Sequence, residues 1–243
     1  MVVVMFIATV QIAAEDQAEL VRKGYFSMTA KDANGTPSYH PETIAPPQWV
    51  PFENIKLQAI QAIIVSEDSR FFRHEGLDSI EMKAAIEDSL FREKRWRGAS
   101  TISQQMVKNV FLSHDRNLIR KIKEILIVRE LERLVSKRKI IETYLNVIEF
   151  GEGIYGIHQA AKVYFNKHPS NLSTREGAFL AMLLPSPKRY SESWKEGKLS
   201  PYARTTMSKI LKRLKSARFI SKAEYQRSLS ERFFWEREQI VAH

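Results

Sequence analysis

The sequence predicts a mainly α-helical protein, and three observations carry that expectation. Apolar residues recur at helical spacing in segment after segment, as Ile80, Ala84, Ala85 and Leu90 do across residues 79–91. Helix-start and helix-stop residues flank such segments: Ser173 with Glu176 opens an apolar run that Pro185 and Pro187 close. No convincing strand series, internal repeat or heptad array competes with that pattern.

Composition sets the outer limits. The chain has 243 residues, 44% hydrophobic and 27% charged, enough for one large domain or two closely packed lobes. The absence of cysteine excludes disulfides and thiolate chemistry but does not fix the compartment. A net charge of +10, from 38 basic and 28 acidic side chains, favours an anionic partner. Nucleic acid, an anionic membrane surface and a phosphorylated substrate all qualify.

Taken in order, residues 1–14 are apolar apart from Thr9 and Gln11. They fall short of the roughly 20 residues a bilayer crossing needs, and lack both a positive n-region and an A-x-A site. They read as the C-terminal part of a membrane anchor, and residues 15–24 continue the helix, so 1–24 is assigned as a partial anchor with a membrane-proximal helix. Residues 25–48 read as an extended, exposed connector, because Asn34-Gly35, Pro37, Pro41, Pro46 and Pro47 break regular structure. Trp49 and Val50 pin its end to the body.

Asn54 is the expected cap of a buried helix over 57–65. A helix over 79–91 follows, then a basic, aromatic loop at 92–98. The next helix starts at Ser100 or Thr101 and runs to Phe111. Residues 117–134 form a long amphipathic helix whose apolar side includes Ile119, Ile122, Leu126, Val128 and Leu131. Helices at 139–147 and 157–164 flank a glycine-rich turn at 151–156, where a small hairpin is allowed. Closing helices cover 202–215 and 221–229, and the charged tail 231–243 is expected to fray.

Four stretches carry the candidate chemistry. Glu67 lies at the exit of the buried helix; partial burial raises a carboxyl pKa and suits it to proton work, against the plainer reading of a solvated helix end. On the helix after Ser100, Thr101, Gln104, Gln105, Lys108 and Asn109 fall at i, i+3, i+4, i+7 and i+8. They offer hydrogen bonds to sugar hydroxyls, acetamido groups or phosphate oxygens, or form a solvated face. Arg120, Lys121 and Glu124 make either an ordinary intrahelical ion pair or two cations beside a phosphate, with the carboxylate orienting them. In 137–146, Tyr144 and Asn146 orient an active-site loop or brace the next turn. The six histidines are scattered, and there is no dedicated metal-ligand pattern, phosphate-binding glycine loop, dinucleotide fingerprint or Gly-x-Ser-x-Gly elbow.

Together these stretches closely resemble the peptidoglycan glycosyltransferase family, in particular its monofunctional biosynthetic transglycosylases. The matching text is EDSRFFRHEG at 67–76, RGASTISQQMVKN at 97–109, RKIKE at 120–124 and KRKIIETYLNVIEFGEGIYGIHQAAKVYF at 137–165. A looser match, LSTREGAFLAMLLPSPKRYS, covers 172–191. The resemblance implies a bilobal, lysozyme-like glycosyltransferase fold over about 49–230, with a small membrane-proximal lobe and a cleft between the lobes.

By the same resemblance the enzyme polymerises lipid II. Glu67 matches the general base that deprotonates the incoming GlcNAc 4-hydroxyl, and Glu124 matches a second essential glutamate at the donor phosphates. Arg97, Ser100, Thr101, Gln104, Gln105, Lys108, Asn109, Arg120 and Lys121 fall on substrate-binding positions. Asp68, Phe71, His74, Gly76, Lys137, Tyr144 and Asn146 fall on supporting ones. The implied cofactor is at most a divalent cation such as Mg²⁺, with no organic cofactor.

The implied partners are lipid II, the growing lipid-linked glycan strand, membrane lipids and cell-wall synthesis proteins, with no nucleic acid. The implied place is the outer face of the bacterial cytoplasmic (inner) membrane. Two departures stand out: the anchor is short, and Ser191-Glu192 replaces a proline-bearing turn. The roughly fifty residues after Ser191 leave no room for a penicillin-binding transpeptidase domain. The competing readings are a peptidoglycan-cleaving lysozyme or lytic transglycosylase, which would need a protonated glutamic acid, and a noncatalytic module binding an anionic polymer or membrane.

Overall fold

The computed structural model describes residues 2–31, 37–83, 100–112 and 117–236. In chain order it has helix α1 (Val2–Lys23), strands β1 (Tyr25–Lys31) and β2 (Pro37–Glu42), and helix α2 (Leu57–Glu67). Helices α3 (Ile102–Phe111), α4 (Leu118–Leu134) and α5 (Lys137–Val147) follow, then the short strands β3 (Glu149–Gly151) and β4 (Ile154–Tyr155). Beyond them lie α6 (Gly156–Phe165), α7 (Thr174–Leu183), the single turns α8 (Pro187–Tyr190) and α9 (Glu192–Lys195), and the closing α10 (Pro201–Ser216) and α11 (Lys222–Ser230). The fold is mainly helical, as expected. Contacts divide it into two compact units: Met1–Pro47 with Arg70–Tyr144, and Gln48–Ser69 with Leu145–His243.

In the first unit α1 packs against α4 through small side chains: Ala14, Ala18 and Val21 recur at i, i+4 and i+7 and are buried. Gln11 on α1 donates to Glu130 on α4, and Arg133 pairs with Glu15 at 3.1 Å. The stretch expected to be an extended connector instead holds an antiparallel pair running from Tyr25↔Glu42 to Lys31↔Pro37. Prolines at 37 and 41 argue against a strand, yet a two-stranded ladder leaves outward edges where a missing N–H goes unused. Phe26 anchors the pair, edge-on to Phe111 at 5.7 Å between centroids.

The apolar side of α4 also differs from expectation. Ile119 and Ile122 are 58% and 45% exposed, while Ile127, Val128 and Leu131 are buried. Apolar residues at 118, 119, 122, 125, 126, 127 and 128 circle this helix, so periodicity does not select its inner face. Of the helix expected over 79–91, residues 79–83 are helical and the remainder lies outside the described residues, as does the loop carrying Arg97.

In the second unit α2 is buried against α7 and α10. Ala59 and Gly177 let α2 and α7 approach closely: a Cβ on Gly177 would stand 2.6 Å from Ala59 Cα. Asn54 does not cap α2. It closes a 3₁₀ turn, and Lys56 occupies the cap position without a side-chain bond. The expected capping box at Ser173 and Glu176 is present, and the glycine turn forms the β3–β4 pair. The start of the C-terminal tail does not fray. Phe233 and Trp235 are buried and stacked at 4.8 Å, Phe233 stacks on Phe165 at 5.6 Å, and the Arg175 guanidinium lies 4.8 Å from the Phe233 ring. Aromatic burial outweighs the charge that surrounds these two residues in the sequence.

Candidate active site

Glu67 is the last residue of α2 and is half-buried. The six buried residues of α2, Ala59 to Val65, seat it against the second unit's core. Arg213 on α10 donates to the Val65 carbonyl at 3.0 Å, so a cation closes the helix end that carries Glu67. Asp68 follows, buried, its N–H on Ile64 O at 2.9 Å. In the same unit Asn146 clamps the backbone of Val50 twice, at 2.8 and 2.9 Å. Trp49 and Val50 are buried there, as expected. Burial and the neighbouring Glu149 push the Tyr155 hydroxyl up to about 12, and burial pushes His158 down.

The first unit gathers most of the remaining motif residues. Thr101 caps α3 in a reciprocal box with Gln104, and its hydroxyl also donates to the Gly76 carbonyl at 2.6 Å. The Gln104 amide then reaches Glu124 at 3.2 Å. Glu124 is 3% exposed and takes two cations as well, Arg120 at 3.0 Å and Lys121. A carboxylate this buried persists only with such compensation, so the cluster is a fixed, charge-assisted unit. Among the described residues the buried Arg120 Nε has no hydrogen-bond partner.

Around this cluster, Gln105 accepts from Tyr144 at 2.9 Å. His74 Nδ1 accepts from the Gly76 N–H at 3.1 Å and packs edge-on to the buried Phe71 at 6.3 Å. Lys137 lies over the Phe71 ring at 4.5 Å. Thr101 and Gln104 are thus buried framework, unlike the exposed Ser100 and Lys108 on the same segment; Asn109 is half-buried. Four residues outside the expected set also belong here: Arg70, Asp78, Ser103 and Glu132. Asp78 caps the helical stretch at 79–83 and pairs with Arg70 at 3.2 Å. Ser103 and Lys137 both donate to Glu132. The one sequence signal for Glu132 is its place five residues before Lys137, across the break between α4 and α5.

Residues 40–215 match the transglycosylase family model, a span that holds every one of these motifs. The chain belongs to the transglycosylase family. A biosynthetic peptidoglycan transglycosylase from Nitrosomonas eutropha is 40% identical over 163 residues, 67% of each chain. One from Chromobacterium violaceum is 44% identical over 152 residues, 63% of this transglycosylase and 67% of that protein. Among solved structures, penicillin-binding protein 1A from Haemophilus influenzae aligns with a TM-score of 0.36 and 23% identity, over 58% of this chain and 19% of that one.

As for a metal, both oxygens of Glu124 are occupied by Arg120, Lys121 and Gln104. That carboxylate does not fit the role of a direct ligand to a divalent cation, which seeks anionic oxygens free of competing cations.

Proposed function

We propose that this transglycosylase polymerises lipid II into β-1,4-linked peptidoglycan glycan strands, with inversion at the anomeric carbon and release of undecaprenyl pyrophosphate. The observation that carries the reading is the buried Glu124 held between the cations Arg120 and Lys121 and the amide of Gln104. A glycan-cleaving site needs no such arrangement of cations. A pyrophosphate leaving group does, because its departure depends on neutralising the charge it takes away.

Glu67 is the base in this reading. Its carboxylate takes the proton of the GlcNAc 4-hydroxyl as that oxygen attacks C1 of the MurNAc at the reducing end of the growing strand. The bond from C1 to the pyrophosphate oxygen breaks, and the α-linked donor becomes a β-linked product. Pyrophosphate is a competent leaving group once neutralised, so no protonated carboxylic acid has to assist it. Arg120 and Lys121 hold the phosphates, with Lys108 and Arg97 as further cations, and Glu124 fixes the first two. No step is assigned to a divalent cation, and crosslinking of strands is no part of the proposal.

The reaction places the enzyme at the cell envelope, on the outer face of the cytoplasmic membrane. No helix among the described residues is long and apolar enough to cross a membrane. The attachment surface that fits is the exposed stripe of Leu118, Ile119, Ile122 and Ile125 beside Lys121 and Lys123, an interfacial combination of apolar and basic side chains. The test is to incubate the protein with lipid II in detergent and, separately, with finished peptidoglycan. Loss of lipid II with release of undecaprenyl pyrophosphate supports the proposal. Soluble fragments from finished wall, with lipid II intact, refute it.

A further inference from the structure

Glu132 has partners separate from those of Glu124. It sits two residues before the end of α4, with its side chain 5% exposed, and meets three segments of the first unit. Ser103 on α3 donates its hydroxyl to it. Lys137, in the first turn of α5, pairs with it at 2.8 Å. Gly76 passes directly over it: a Cβ at that glycine would lie 2.9 Å from Glu132 Cγ, and closer still to Val128. The Lys137 ammonium in turn stands 4.5 Å from the ring centre of Phe71, which is fully buried.

We infer that Glu132 and Lys137 form a positioning pair for glycosyl transfer, fixing the 70–76 turn against α3. The inference rests on the proposed polymerisation and on Glu67 as its base. Phe71 and Gly76 lie four and nine residues after Glu67, so the pair acts on the segment that leaves the base. The pair is part-buried, and an ion pair withdrawn from water is a poor source of stability, since apolar or neutral replacements of both partners often fold as well. Its strength is directional: the carboxylate fixes the ammonium, and the ammonium fixes one aromatic ring. Misplacing a catalytic segment lowers turnover rather than substrate affinity.

The test uses the full chain and lipid II, with Glu132→Gln, Lys137→Met, the double variant, Lys137→Arg and Ser103→Ala. Each of the first two is expected to lower kcat about 10-fold or more while KM stays within about 3-fold. The double variant should be no worse than the weaker single one, because the pair acts as a unit. Its Tm should return to within about 4 °C of wild type, because no unpaired charge remains. Lys137→Arg keeps the cation and should retain about half of the turnover or more.

A double variant with wild-type kcat overturns the inference, as does a series in which activity simply follows Tm. If none of the charge variants folds, Ser103→Ala decides. It removes one bond at little cost in volume and should lower kcat about 3-fold; unchanged turnover in folded Ser103→Ala is the contrary result. Inactivity of the wild type, by contrast, would overturn the assigned reaction itself.

Discussion

Single residues set the chemistry and the local strain. Glu124→Gln keeps the shape and the Gln104 contact but removes the counter-charge of Arg120 and Lys121. Lipid II turnover should fall about 100-fold with weaker donor binding, as for loss of one pre-organised electrostatic group. Steady-state kinetics check it, and turnover within 3-fold of wild type would contradict the proposed role. Gly76 has φ +86 and no room for a side chain between Val128 and Glu132. Gly76→Ala should therefore destabilise the fold by about 2 kcal/mol or more. A denaturant midpoint equal to wild type would show that the turn relaxes freely.

At the level of elements, the caps do double duty. Thr101 starts α3 and also holds the Gly76 carbonyl. Thr101→Ala should cost about 1–3 kcal/mol, the sum of a lost cap and an unsatisfied buried carbonyl. Thermal unfolding gives the number, and a change below half a degree would dismiss the second bond. At the end of α1, hydrogen bonds from Arg22 and Lys23 lower the Glu19 carboxyl from its ordinary 4.5 to about 2. Its folded value lies below its unfolded one, so its support of the helix is complete above about pH 4.5 and fades as pH falls towards 2. An NMR titration of Glu19 with a midpoint near 4.5 would show that these bonds do not persist.

Legibility in the sequence follows from where the signals are local. Thr101, Asn117, Ser173 and Ser221 cap helices where the sequence places helix starts, because an N-cap is decided within four residues; the expected cap Asn54 is the exception. The inner face of α4 was not legible, since its apolar residues run all the way round. The β1–β2 pair was hidden by prolines that an edge strand tolerates. In the site, the Arg120–Lys121–Glu124 spacing was visible in one turn of helix. The link from Gln104 to Glu124 spans twenty residues, and that from Ser103 to Glu132 spans twenty-nine; only tertiary packing shows them.

On the scale of the whole molecule, the chain forms two compact units. One carries the Glu124 cluster with its cations; the other seats Glu67 on a buried helix. In the second unit, the segment after α11 joins the core: Phe233 stacks against Phe165 and Trp235, with the Arg175 guanidinium over its ring. Phe233→Ala should cost about 3–5 kcal/mol, the range for deleting a buried aromatic. Chemical denaturation checks it, and a cost under 1 kcal/mol would mean the segment is not part of the core.

The most direct test of the account is lipid II polymerisation, in detergent or bilayers, by wild type and Glu67→Gln, with products resolved by glycan length. Long β-linked strands from the wild type, and almost none from an equally folded Glu67→Gln, are the expected result. Normal strands from folded Glu67→Gln would contradict the assignment of the base.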